Sequence, residues 1–168
     1  MSYNAIKAEE LGKNVFNMIG NEWMLVCAEA GGKSNAMTAS WGGMGVLWRK
    51  NVAFVFVRPQ RYTYEFLEKT DKMTLSFFGE EYRDALRICG TKSGRECNKI
   101  AEAGLTPFSV NDGCTAFKEA SIIMECTKMY AGPILEENIV DPAIMNEYKN
   151  GDFHKMYVVS IDRILVKN

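Results

Sequence analysis

Three short stretches of the chain carry side chains suited to gripping a flat, phosphorylated molecule. The first is Asn35-Ala36-Met37-Thr38-Ala39-Ser40-Trp41-Gly42-Gly43, where small and hydroxyl-bearing residues run together. Small side chains let the polar edge of a ring reach backbone N–H groups, and the Thr38 and Ser40 hydroxyls can add hydrogen bonds. A polar strand edge would have the same composition. The second is Arg58-Pro59-Gln60-Arg61-Tyr62-Thr63, with two guanidinium forks and a hydroxyl at a helix start, a set that suits a phosphate dianion. A solvated basic loop is the plain alternative. The third, Cys89-Gly90-Thr91-Lys92-Ser93-Gly94-Arg95-Glu96-Cys97-Asn98-Lys99, places Ser93, Gly94 and Lys99 where they could close over an anion. Taken alone, it reads equally as a flexible charged loop.

The elements that must position these stretches are mostly strands. Val52–Val57 is a short continuous apolar run rich in β-branched and aromatic residues, the pattern of a strand covered on both faces. Met73–Phe77 alternates apolar and polar, and Trp23–Ala28, Ser121–Tyr130 and Tyr157–Val166 complete the strand set, with Ala30-Gly31-Gly32-Lys33 as a turn. Helices are predicted at Tyr62–Thr70, at Glu80–Ile88 with Gly90 as a left-handed cap, and at Pro142–Lys149 behind the Asp141-Pro142 start signal. Many strands with few helices argue against a doubly wound parallel sheet. They favour a mainly β, closed or nearly closed antiparallel barrel with flanking helices. No repeat or linker divides the 168 residues, so a single domain over 1–168 is expected.

Several function classes are disfavoured. A net charge of −1 without a basic block speaks against nucleic acid as a partner. No apolar run approaches the roughly 20 residues that span a bilayer, and the start Met1-Ser2-Tyr3-Asn4-Ala5-Ile6-Lys7 lacks a signal-peptide pattern, so a cytoplasmic, non-membrane protein is expected. The five cysteines, at 27, 89, 97, 114 and 126, have no zinc or dithiol spacing and read as reduced, mostly buried thiols. With His154 the only histidine, no metal site is expected, and redox chemistry would need an organic cofactor. Gly32-Lys33-Ser34 lacks the earlier P-loop glycine, that position being Cys27, and Gly43-Met44-Gly45 has Trp48 where a dinucleotide fingerprint needs its third glycine. Those glycines read as turn and loop or strand-end residues. No Gly-x-Ser-x-Gly elbow accompanies His154.

Taken in order, the three stretches together with the closing Gly151-Asp152-Phe153-His154 resemble the flavin reductase-like family, nearest its flavoredoxin-like branch. The resemblance runs from about the Trp23 strand to the C-terminal strand. It implies an FMN-binding split barrel, antiparallel and Greek-key, with the flavin ring held by Met37, Thr38, Ala39, Ser40 and Trp41. The phosphate would be held by Arg58, Arg61, Tyr62, Thr63, Ser93, Gly94 and Lys99. It further implies a homodimer with FMN near the subunit interface, and NAD(P)H as co-substrate with nicotinamide stacking beside His154. Read without the family, a histidine between Asp152 and Lys155 is as well placed to be a surface residue. An FMN-dependent oxidoreductase follows. The alternatives are a non-catalytic electron carrier that serves a protein partner, and a barrel that has lost its flavin.

Overall fold

The computed structural model describes residues 2–168, apart from the side chain of Asp112. Met1, the first residue of the start read above, lies outside the described residues. The strands are β1 (Tyr3–Ile6), β2 (Met24–Ala30), β3 (Lys33–Ala39), β4 (Gly42–Leu47), β5 (Lys50–Val57), β6 (Lys72–Phe77), β7 (Pro107–Ser109), β8 (Thr115–Phe117), β9 (Ile122–Pro133) and β10 (Lys155–Lys167). Hydrogen bonding joins them in the order β3-β2-β6-β9-β10-β5-β4, with β1 on β10 and a separate β7-β8 hairpin. Every pairing is antiparallel. The expected antiparallel, mainly β architecture with flanking helices is therefore present.

Strand composition follows from which faces are covered. Met24, Val26 and Ala28 enter one core with Met37, Val55, Val57, Leu75, Met124 and Tyr157. Their alternates Leu25 and Cys27 enter a second core with Ala36, Leu86, Cys89, Phe117 and Ile123. Successive side chains of a strand point to opposite faces. A strand buried on both faces therefore reads as an unbroken apolar run, and Met24-Leu25-Val26-Cys27-Ala28 is one. The second core lies beneath helix α3 (Arg83–Thr91), whose Ala85, Leu86 and Cys89 are buried. The other helices are short: α1 (Val15–Asn17), which continues as a π turn over Met18–Glu22, α2 (Tyr62–Leu67) and α4 (Lys99–Glu102). Among the described residues no helix is long and apolar enough to cross a membrane.

Three local expectations need correction. The predicted helix over Tyr62–Thr70 ends at Leu67, where Lys128 Nζ donates to the Leu67 and Thr70 carbonyls at 2.7 and 2.9 Å. The segment from Pro142 forms 3-10 turns to Tyr148, started by the Asp141 carboxylate accepting from the Ala143 N–H at 2.9 Å. Gly90 is no left-handed cap. It lies inside α3, and a Cβ there would sit 3.3 Å from Thr38 Cβ, so its bareness lets the helix settle on β3. Of the loop and strand-end readings left open for Gly43-Met44-Gly45, the strand is the one found, within β4. The β4–β5 turn passed unseen because its central residues, Trp48 and Arg49, hold φ of 51° and 60° without glycine or asparagine. By contrast the β2–β3 turn uses Gly31 and Gly32 at 60° and 71°, which the sequence announces openly.

The two ends of the sheet, β3 and β4, are not paired with each other, although only Ser40 and Trp41 separate them in sequence. The barrel is split there. The backbone groups on the outer edge of β3 consequently lack a ladder partner.

Candidate functional site

The three chemistry-bearing stretches converge beside this split. Asn35 of β3 is 5% exposed and its Nδ2 donates to Thr63 Oγ1 at 2.7 Å, joining the first stretch to the second. The third stretch closes on the same residue: a Cβ on Gly94 would lie 2.1 Å from Asn35 Oδ1, so only glycine lets the loop approach this far. Arg95 ties it to the second stretch, with Nη1 donating to the Gln60 carbonyl at 3.2 Å and the guanidinium 4.8 Å from the centroid of the Tyr62 ring.

A cavity of about 220 Å³ opens at the split, lined by Met37–Trp41 together with Phe56, Arg58, Arg61 and His154. A second, of about 620 Å³, is lined by Asn35, Tyr62, Gly94 and Lys99 among others. Between them lies the C-terminal end of α3, where the Cys89 carbonyl accepts from Arg61 Nη2 at 3.4 Å and from Lys99 Nζ at 3.0 Å. Lys99 also donates to the Lys92 carbonyl at 3.1 Å. Lys99 is only 3% exposed, and burial, reinforced by the nearby Arg61 charge, holds its ammonium down at about 8. Burial likewise lowers Arg61. Neither cation has a carboxylate partner among the described residues. Two desolvated cations sharing one carbonyl repel each other and lack a counter-charge, and an anion is the group that would relieve both.

The remaining residues expected at the phosphate fall into different positions. Arg58 is committed elsewhere: its Nη1 pairs with Asp152 and its Nη2 donates to the Glu147 carbonyl at 3.0 Å. Ser93 organises its own turn, its carbonyl accepting from the Glu96 and Cys97 N–H groups at 3.1 and 3.3 Å. Thr63 is fully buried against Asn35, and Tyr62 serves as the platform for Arg95. On the ring side, Met37 and Ala39 point into the barrel core, and the Thr38 hydroxyl donates to the Leu86 carbonyl at 2.5 Å. The side chains of this strand therefore hold it in place, leaving its main chain to the cavity. Ser40 and Trp41 complete the wall.

His154 is 8% exposed. Its ring lies 5.1 Å from the Trp41 ring centroid at an angle of 45°, and its Nδ1 is hydrogen-bonded to the Tyr148 hydroxyl at 2.9 Å. Burial, with Arg58 adding repulsion, holds its pKa at about 4, so the ring is neutral at pH 7. Tyr148 and Phe56 were not singled out for the site at the sequence level, and Asp152 was named only as part of the closing run, not as the partner of Arg58. Tyr148 lies in an irregular segment whose only signal was the Asp141-Pro142 start. Cys89 is fully buried and burial pushes its thiol up to about 11, consistent with packing. Among the described residues no group of three or more His, Cys, Asp or Glu side chains gathers where a metal could be held.

An antiparallel, mainly β fold with helices on its flanks matches the architecture of flavin reductase-like split barrels. The sequence matches the flavin reductase like domain over residues 17–164, and the chain belongs to that family. The fold is similar to an FMN-binding domain of a flavin reductases-like enzyme from Shewanella baltica, at 14% identity and TM-score 0.72 over 98% of this chain and 77% of that one. It is also similar to an FMN-binding protein from Thermus thermophilus, at 17% identity and TM-score 0.71 over 98% and 82%. A flavoredoxin of Desulfovibrio vulgaris matches at 18% identity and TM-score 0.70 over 97% and 78%. No curated protein matches the sequence.

Proposed function

We propose that this chain binds FMN and works as an FMN-dependent oxidoreductase that takes reducing equivalents from NAD(P)H. The observation that carries the reading is the pair Arg61 and Lys99, which meet at the Cys89 carbonyl with no acid beside them. This pair suits the phosphate of a flavin mononucleotide: a guanidinium fork and an ammonium held out of water. The main chain of Met37–Trp41, on the unpaired edge at the split, would meet the polar edge of the ring, and Trp41 and His154 would cover it. Bound flavin supplies reversible uptake of electrons. The protein's part is to hold the ring, offer fixed N–H donors where negative charge develops and exclude water. No side chain of the site has to act as an acid or base.

The decisive experiment has two readings. The purified protein is expected to be yellow, or to turn yellow on adding stoichiometric FMN, and then to oxidise NADH or NADPH in the steady state. A colourless protein with no FMN uptake would overturn the cofactor assignment. Firm FMN binding without turnover of either nucleotide would overturn the enzyme reading and leave an electron carrier that serves a protein partner.

The working unit is a homodimer. Phe16, Val46 and Trp48 are 89%, 74% and 57% exposed, and a cavity of about 720 Å³ lies between Asn14–Gly20 and Ser40–Met44, beside the flavin cleft. Strand β4 is an end strand with an unpaired edge, and exposed apolar side chains beside such an edge call for a covering partner. V46D is expected to turn a dimer into a monomer in sedimentation velocity. A wild-type monomer at micromolar concentration would overturn this assignment.

A further inference from the structure

The 134–153 segment sends one side chain, Tyr148, onto the only histidine in the chain. We propose that Tyr148 is a positioning residue: it fixes His154 as the tautomer protonated on Nε2, so that the ring offers the cavity beside Trp41 a neutral N–H donor rather than an acid or a base.

Tyr148 is 5% exposed, and its hydroxyl oxygen lies 2.9 Å from His154 Nδ1. A phenol has one proton to donate, and Nδ1 is its sole acceptor among the described residues. Were Nδ1–H the donor instead, the buried phenol proton would have no acceptor among the described residues, which costs stability. The hydroxyl therefore donates to Nδ1, and the imidazole proton belongs on Nε2.

The surroundings hold both rings in place. Tyr148 stacks on Phe153 with centroids 4.6 Å apart, and the Arg58 guanidinium carbon lies 5.3 Å from the centroid of its ring. Arg58 is itself anchored by Asp152 and the Glu147 carbonyl, and Gln60 Nε2 donates to the same Asp152 oxygen at 2.7 Å. The His154 carbonyl accepts from Ile134 N–H at 2.8 Å, while Trp41 flanks the ring. Burial is the largest influence against the imidazolium; of the charged groups that act on the ring, Arg58 adds to it and Asp152 opposes it. Nε2 is thus the ring nitrogen left for an occupant of the cavity. A fixed neutral donor stabilises negative charge on a carbonyl or ring nitrogen without transferring a proton. This assigns a role within the proposed flavin site, but the tautomer can be read without any flavin.

Because the chain has one histidine, a long-range proton–nitrogen NMR spectrum of the flavin-free protein resolves it directly. The wild type is expected to show protonated Nε2 and bare Nδ1 from pH 5.5 to 8. Y148F keeps the ring and its stacking but removes the hydroxyl, and is expected to give mixed or reversed tautomers with an unchanged circular dichroism spectrum. Protonated Nδ1 in the wild type would overturn the proposal, whether or not the variant folds. So would a folded Y148F that keeps the wild-type pattern. A failure to bind FMN would overturn the proposed function while leaving this measurement intact.

Discussion

Replacing Arg61 with Ala is expected to raise the dissociation constant for FMN roughly thirty- to a thousandfold, the equivalent of about 2–4 kcal/mol for removing one partner of a desolvated charge contact. Two features of the site make the effect this large. Arg61 is half-buried and has a single long hydrogen bond, to the Cys89 carbonyl at 3.4 Å, so no carboxylate competes for its charge. It also stands beside Lys99, so the phosphate would answer two cations at once. The flavin-free variant should behave in the opposite sense. Removing one of two uncompensated cations relieves the other, so R61A is expected to fold with no loss of thermal stability and with Lys99 titrating above 8. R61K should fall between, since an ammonium cannot reproduce a planar fork. Titration followed by flavin fluorescence measures the binding, and a change under threefold would mean that the phosphate lies elsewhere.

Lys99 sets the pH dependence. In the flavin-free protein its ammonium is held at about 8, first by burial and then by Arg61. A bound phosphate dianion favours the protonated form, so the bound-state value rises. Between the two values the complex holds more protons than its separated components, and affinity must fall as pH rises. Below 8 both states are protonated and Lys99 contributes no slope. Above 8 the affinity should drop towards tenfold per pH unit, roughly thirtyfold between pH 7 and 9.5 by the same linkage. K99M is expected to bind weakly at pH 7 and to lose the slope. A wild-type affinity that stays flat to pH 9.5 would exclude Lys99 as a phosphate ligand.

Legibility differed sharply between elements. The strands around Val52–Val57, Met73–Phe77 and Tyr157–Val166 could be read because burial on one or both faces imposes its own residue pattern. Gly31-Gly32 could be read because a tight hairpin needs positive φ and glycine supplies it. Trp48-Arg49 makes the same kind of turn with residues that normally avoid it, so β4 gave no sign of where it ended. Gly90 looked like a cap because a glycine's reason, whether positive φ or a close neighbour, is not written in its type. Here the neighbour is Thr38, fifty-two residues earlier in the chain.

The candidate site divides along the same line. In the sequence, stretches 35–41, 58–63 and 93–99 were grouped by the family resemblance that their order carries, while residue types alone said only that the cations of the last two would suit an anion. Tertiary structure alone decided which cations remain available. Arg58 and Arg61 are three residues apart and chemically identical, yet Arg58 is neutralised by Asp152 from the far end of the chain, whereas Arg61 meets only a carbonyl and Lys99. The physical reason is that a charge's worth as a ligand depends on what already surrounds it, and those surroundings come from segments brought together by folding.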